Sequence, residues 1–448
     1  MTIRDTILTV NIVEPALVDA VHKHSKEMGI ELKGLVLIDR TYDKEALERD
    51  SMRDTSGLFE EIICDFDNPD ELQKVLKPYT DRLLAATCRY ENSMHHFRKL
   101  IPFIPYVPAP SESSLLWSLE KPLMRDRLSN YDRKLTPKYQ YMEEADVSNM
   151  SKLIADFNFP VIVKPSGLAE SLLVTRCETE QELKECLDNT FRIIGEIYAR
   201  EHRDSAPSLL IEEMMQGDMY STDAYVTSEG EIFCLPFIKV VTAHSIGLPG
   251  FHTYRTIVPT GLTEDQVEAG FETSRAAIRA LNLRATTTHI ELFLTPQGWK
   301  IVELGARIGG HRAALYREAY GIDHFYNDVA IHMGKNPIIK DVPISHAAGS
   351  TIYADSEGII ESIEGIEEAN KLESTVFVEA HAQPGEETLF AHNGGRYVVE
   401  CILSNTNPKR LEEDVTKVRE LVKIKVRKNQ TQIISSRKPR ARSLHKVS

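Results

Sequence analysis

The sequence predicts a multidomain protein of mixed α/β and α+β class. Three observations carry this: strand and helix patterns alternate through the first ~100 residues, a carboxylate-bearing hairpin pattern lies near residue 297, and residues 346–426 are rich in strands. The 448 residues suffice for about three domains at ~150 residues each.

In the first part, ILTVNIV reads as a strand, ALVDAVHKHSKEMG as a helix ending at Gly29, and LKGLVLID as a second strand. EEIICDF is a third strand, PDELQKVLKPY a second helix and DRLLAAT a fourth strand. Strands separated by helices imply a Rossmann-like parallel sheet. No G-x-G-x-x-G follows the first strand, so dinucleotide chemistry is not expected.

Residues 101–114 hold four prolines and read as an extended connector and a boundary. The helical run LLWSLEKPLMRDRLSNY follows. Next comes an α+β unit: the strand FPVIVKP, the loop SGLAES, the strand LLVTRC, the helix ETEQELKECLDNTFRIIGEIYAREH and the strand SLLIEEMM. STDAYVTS, EIFCLPFIKVV and TYRTIVPT read as antiparallel strands, and a helix from Glu264 to about Asn282 precedes THIELFLT and WKIVELG. ALYREAYGIDHFYNDVAIHMG reads as helical, and KRLEEDVTKVRELV as a late helix among the C-terminal strands.

Composition narrows the function classes. The formal charge of −14 argues against general nucleic-acid binding, which needs an electropositive face. Lys423 to Lys446 holds nine Lys and Arg and no acid, so the rest carries −14 − 9 = −23. The tail is polar, without apolar periodicity, and reads as a solvated, disordered end. Six scattered cysteines without a C-x-x-C pair argue against a zinc or disulfide framework and fit reduced thiols. MTIRDTILTVNIVEP lacks the apolar segment of a signal peptide, and no stretch reaches the ~20 apolar residues of a membrane span. A cytoplasmic protein is expected.

The most informative stretch is THIELFLTPQGWKIVELGARIGGHR. A hairpin centred on Gln297 places Glu291 opposite Glu303, Phe293 opposite Ile301 and His289 opposite Gly305. Ile290, Leu292 and Leu294 then share the other face with Leu304, Val302 and Lys300. Like charges directly opposite are unfavourable unless a cation lies between them, and hard oxygen ligands suit Mg2+. The plainer alternative is a pair of solvated glutamates. Arg307, followed by Gly309 and Gly310, is placed to hold an oxyanion or a carboxylate, although alone it would as readily be a surface ion pair.

FPVIVKP, LLIEEMMQGDMYSTD, HIELFL and IVELGARIGG occur in the order and spacing of ATP-grasp ligases, and SLEKPLMRDRL is similar to the segment leading into their nucleotide domain. Over residues 80–425 the chain resembles carboxylate–amine ligases, the branch with L-amino-acid ligases (dipeptide synthetases) and carnosine-synthase-like enzymes. The resemblance implies an ATP-grasp fold: a pre-ATP-grasp domain over residues 1–110, the ATP-grasp domain over 111–340 with a lid at about 158–225, a β-rich domain over 341–426 and a basic tail over 427–448.

It also implies roles. Lys121 and Lys164 would contact ATP phosphates, beneath a loop that includes Ser166 and Ser171. Glu212, Glu213, Met214 and Met215 would form the hinge whose backbone reads adenine, with Asp218 near the ribose. Glu291 and Glu303 would bind Mg2+, or Mn2+ in its place, and Arg307, Glu303 and Lys164 would carry catalysis. Candidate substrate contacts are His244, His252, Arg255, His289, His311 and Arg312, each with a plain packing role as the alternative. Two positions depart from the family pattern: Met219 stands where a ribose-binding glutamate is usual, and Gly305 where asparagine is common.

The implied reaction is ATP-dependent and ADP-forming. It joins a small-molecule carboxylate to an amine, both expected to be amino acids, through an acyl phosphate; a homodimer is also implied. Two other readings remain: a bicarbonate-activating carboxylase-like enzyme, and a degenerate ATP-binding regulatory or scaffolding module.

Overall fold

The computed structural model describes residues 4–42, 57–168, 171–200, 206–248 and 250–428. Positions 169 and 170 of the expected phosphate loop and the tail from residue 429 lie outside these residues. The expected tail begins later than position 427, because Arg427 ends a strand, Lys423–Arg427.

Thr6–Val10, Lys33–Asp39, Phe59–Cys64 and Leu83–Ala86 form a parallel sheet in the order third, second, first, fourth. Thr6–Val10 is buried at every position, as expected of a strand covered on both faces. The helix Pro15–Met28 opens on proline and stops at Gly29, whose φ of 65° gives a left-handed cap.

The connector differs from the extended segment expected. Ile101–Phe103 is a 3-10 turn, and Ile104 and Val107 are buried in a core that also holds Leu8, Leu37, Ile290 and Leu304. Apolar packing therefore runs through this boundary. The following helical run divides into Glu112–Leu119 and Lys121–Tyr131. Glu120, extended at φ −104° and ψ 106°, separates them as the N-cap of the second helix, and Pro122 sits in that helix's first turn, where its missing N–H costs no intrahelical bond.

Tyr139–Met142, Leu209–Glu213, Val161–Pro165 and Thr175–Cys177 form an antiparallel sheet. The helix Glu180–Arg200 covers it, with its own core of Val161, Val163, Leu183, Leu187 and Ile211. The expected strand LLVTRC is reduced to Thr175–Cys177, because Ser171 and Leu173 adopt φ of 58° and 60° in a turn.

A nine-stranded sheet organises the rest. Gly298–Gly305 pairs with Thr286–Thr295, which pairs with Asp218–Val226, followed by Ile238–Thr242 and Thr253–Val258. EIFCLPFIKVV is two strands, Ile232–Cys234 and Ile238–Thr242, separated around Pro236. The sheet continues through His346–Ile352, Val399–Asn405 and Thr375–Ala380, so it crosses the boundary expected near residue 340. The helical run after the hairpin divides at Gly321, φ 64°, into Arg312–Tyr320 and His324–His332. Among the described residues no helix is long and apolar enough to cross a membrane.

Candidate active site

Glu291 and Glu303 are Cα partners on adjacent antiparallel strands, as are His289 and Gly305. Beyond Glu291 the expected register fails. Leu292, not Phe293, pairs with Ile301, and Phe293 pairs with Lys300. The turn is tighter than one centred on Gln297, since Thr295 pairs with Gly298, and a bulge restores the register at the glutamates. Val302 is the extra residue: Ile301 and Leu304 are buried, while Val302 and Glu303 both line the cavity.

Each glutamate has cationic company. Lys121 Nζ lies 3.1 Å from Glu303 Oε1 and donates to the Leu168 carbonyl at 2.6 Å. His289 Nε2 is 3.5 Å, and Arg312 Nη2 4.0 Å, from Glu291 Oε1. Burial would raise the Glu291 carboxyl, but His289 and Arg312 hold it below its ordinary value.

Glu212 has a role the sequence reading missed. Its carboxylate is buried between Arg125 Nε at 2.5 Å and Lys164 Nζ at 2.6 Å. Arg125 also donates to the carbonyls of Ile301 and Val302. Burial raises the Glu212 carboxyl, yet Arg125 and Lys164 keep it below its usual value; burial also lowers Lys164. The signal for Arg125 was its place four residues after Lys121, on the same helix face.

Glu213, Met214, Met215 and Asp218 line the cavity. Glu213 accepts from the Asn158 backbone and side chain, and Asp218 pairs with Lys239 at 3.0 Å. Ser171 also lines it. Ser166 does not: buried, it accepts from the Ser208 hydroxyl at 2.9 Å, which corrects its expected place over the phosphates.

Asp223 is a second residue missed. Fully buried, it accepts from His289 Nδ1 at 2.6 Å, His324 Nε2 at 2.7 Å and the Gly309 backbone at 2.9 Å. Burial would raise its carboxyl, but the two histidines hold it far below the usual range. Burial would depress His289, yet Asp223 raises it overall. Its only sequence signal was an acid inside the apolar strand STDAYV.

Arg307 lines the cavity, with Nε donating to Glu91 at 2.7 Å and Nη1 to the Ile308 carbonyl at 2.9 Å. A Cβ on Gly305 would meet Arg307 and Glu91 at 3.7 Å, an ordinary van der Waals contact, so a small side chain would fit here against the arginine.

The substrate candidates separate. His244, His252, His289, His311 and Arg312 line the cavity. His244 lies 3.3 Å from Arg176, and the His252 ring packs against Tyr353. Burial, with Arg312 beside it, lowers His311. As a neutral ring its Nε2 accepts from Arg312 at 2.8 Å and its Nδ1 donates to Glu400 at 3.1 Å. Arg255 is a correction. It lies outside the cavity lining and donates to both oxygens of Glu412 at 2.8 Å.

The cavity encloses about 1790 Å³, beyond the ~300–1,000 Å³ of a typical ligand pocket and large enough for a nucleotide with further substrates. Lys121, Lys164, Arg307 and Arg312 suit a polyanion. Among the described residues no three His, Cys, Asp or Glu gather as a metal cage. Two opposed carboxylates fit Mg2+, which keeps several waters and completes its shell with substrate phosphates.

Residues 157–314 match the ATP-grasp domain, and residues 350–427 match the L-amino acid ligase C-terminal domain 2. The structure is similar to the L-amino acid ligase of Bacillus licheniformis, with a TM-score of 0.76 and 17% identity over 94% of this chain and 99% of that one. It is also similar to the biotin carboxylase domain dimer of Hydrogenobacter thermophilus 2-oxoglutarate carboxylase, solved with MgADP, ADP and bicarbonate. There the TM-score is 0.63, with 15% identity over 94% of this chain and 90% of that one. An uncharacterized protein, y4rH, of Sinorhizobium fredii (strain NBRC 101917 / NGR234) is 24% identical over 291 residues, 64% of this chain and 56% of that protein. The chain thus has the ATP-grasp fold and carries an ATP-grasp domain joined to an L-amino acid ligase C-terminal domain.

Proposed function

We propose that the chain is an ATP-dependent, ADP-forming ligase that joins the carboxylate of one amino acid to the amine of another. The observation that carries this is the Glu291–Glu303 pair, set in one cavity with Lys121, Lys164 and Arg307. The L-amino acid ligase C-terminal domain, which supplies Tyr353, Tyr397 and Glu400 to the same cavity, supports amino-acid substrates.

A carboxylate is a poor acylating agent because its leaving group would be oxide. Attack by its oxygen on the γ-phosphorus of ATP breaks the bond to ADP and gives an acyl phosphate. The amine nitrogen then attacks the acyl carbon, phosphate leaves and the amine proton is released. Glu291 and Glu303 would hold Mg2+, which neutralises phosphate charge when bound. Lys121 and Lys164 lie on the phosphate side, and Arg307 faces the developing oxyanion. The sheet of residues 139–213 would close over ATP and exclude water.

The test is to incubate the protein with ATP, Mg2+ and pooled amino acids, and to assay ADP and phosphate against AMP and pyrophosphate. ADP and phosphate that rise only with particular amino acids support the ligase. AMP with pyrophosphate overturns the acyl-phosphate route. The similarity to a carboxylase domain solved with bicarbonate favours a parallel arm: turnover with bicarbonate alone would transfer the assignment to carboxylation. ATP binding without turnover in any arm would favour a binding module.

A further inference from the structure

We propose that Arg125 is a positioning residue that ties the Lys164 end of the nucleotide site to the magnesium carboxylate Glu303. The proposal rests on the reading of Glu303 as a magnesium ligand. Arg125 is fully buried on the helix Lys121–Tyr131, and its guanidinium serves two separate structures. Nε donates to Glu212 Oε1 at 2.5 Å, and the other oxygen of Glu212 holds Lys164 Nζ at 2.6 Å. Nη1 and Nη2 donate to the carbonyls of Ile301 at 3.1 Å and Val302 at 2.6 Å, the residues just before Glu303. One turn earlier on the same helix, Lys121 reaches Glu303 itself at 3.1 Å.

The bulge makes this arrangement more than ordinary packing. Glu303 would face Glu291 without it: if Val302 were absent, Ile301 would still pair with Leu292 and Glu303 with Glu291, and the faces would alternate plainly. The extra residue disrupts the ladder and presents a carbonyl that must be satisfied inside the protein. Arg125 satisfies it. The planar fork of a guanidinium can meet a carboxylate and two successive carbonyls at once, which an ammonium cannot. The contact therefore sets where the strand of Glu303 lies relative to the Glu212–Lys164 pair, and so the spacing between a phosphate-side cation and the metal carboxylate. A contact behind a metal ligand typically changes metal affinity by ~10–100-fold when lost.

The test uses Arg125→Lys, which keeps a cation for Glu212 but cannot span both carbonyls. ADP binding is measured by calorimetry across a Mg2+ titration, beside the thermal unfolding midpoint. The expected result is ADP affinity without Mg2+ within about twofold of wild type, and a Mg2+ half-point raised by about 10-fold. A purely structural role would lower the unfolding midpoint and leave the Mg2+ half-point unchanged, which overturns the proposal. Should Arg125→Lys fail to fold, deletion of Val302 removes one of the two carbonyls while keeping the glutamates paired. An unchanged half-point in that variant also overturns it. Wild-type ADP binding indifferent to Mg2+ would remove the metal reading of Glu303 and this inference with it, an outcome distinct from the others.

Discussion

The backbone N–H of Gly309 donates to Asp223 Oδ2 at 2.9 Å, on the carboxylate whose other oxygen accepts from His289 at 2.6 Å. A Cβ at position 309 would lie 2.3 Å from His289 Nδ1 and 2.7 Å from Arg312 Cγ. Neither side chain is free to move away, because Asp223 holds the first and Ser221, at 3.0 Å, the second. Gly309→Ala should therefore cost about 1–3 kcal/mol of stability, read as a lower urea midpoint, and should reduce turnover through displaced His289 and Arg312. A variant with wild-type midpoint and rate would show that this corner relaxes freely.

Glu303→Ala should abolish Mg2+-dependent turnover, with a loss of at least ~10³-fold if Glu303 holds the metal against the transferring phosphate. The fold should survive. The Glu303 side chain is 30% exposed, and Lys121 keeps its bond to the Leu168 carbonyl at 2.6 Å. ADP binding without Mg2+ should remain within a few-fold of wild type. Normal Mg2+-dependent activity in a folded Glu303→Ala protein would end the metal assignment.

The opposed glutamates were legible because a tight turn and alternating apolar residues leave few registers for two strands. The register was nonetheless misplaced between Leu292 and Thr295, since a bulge adds one residue without changing the apolar pattern much. Both Val302 and Ile301 are apolar, so nothing in the sequence marks which of them leaves the core. Asp223 and Arg125 were missed for a related reason. A charge inside an apolar strand or helix gains meaning only from its partners, and theirs lie 66 and 87 positions away, at His289 and Glu212. The parallel N-terminal sheet was readable from local alternation alone. The continuity of the large sheet past residue 340 depends on Thr253–Val258 pairing with His346–Ile352, a contact that leaves no local trace.

Arg255→Ala should leave catalysis unchanged. The side chain is spent on Glu412, itself 62% exposed, on the helix Pro408–Leu421. An ion pair so open to solvent contributes at most ~1 kcal/mol, less at high salt. The check is kcat/KM for whichever amino acids support turnover, measured beside the urea midpoint. A large rise in KM for one substrate would return Arg255 to the binding site.

His24 joins the first helix to the helix after Asp323, in a contact that should weaken in acid. Its ring is buried and stacks on Tyr326 at 3.9 Å between centroids, with Nε2 donating to the Tyr326 carbonyl at 2.9 Å. Burial lowers its pKa from the ordinary value, only partly opposed by that bond. Nδ1 has no hydrogen-bond partner among the described residues, so a proton there would be a buried, unsolvated charge. A depressed folded-state pKa means that the unfolded chain binds more protons below about pH 6.5. The contribution is thus complete above that pH and is lost as pH falls towards the folded-state value. The urea midpoint should fall between pH 7.5 and 5.5, and His24→Phe, which keeps the stacking surface, should flatten that slope by up to ~1.4 kcal/mol per pH unit, the limit for one proton. Burial lowers His311 and His332 in the same direction, so part of the slope should remain. A His24→Phe protein with the full wild-type slope would place the acid sensitivity elsewhere.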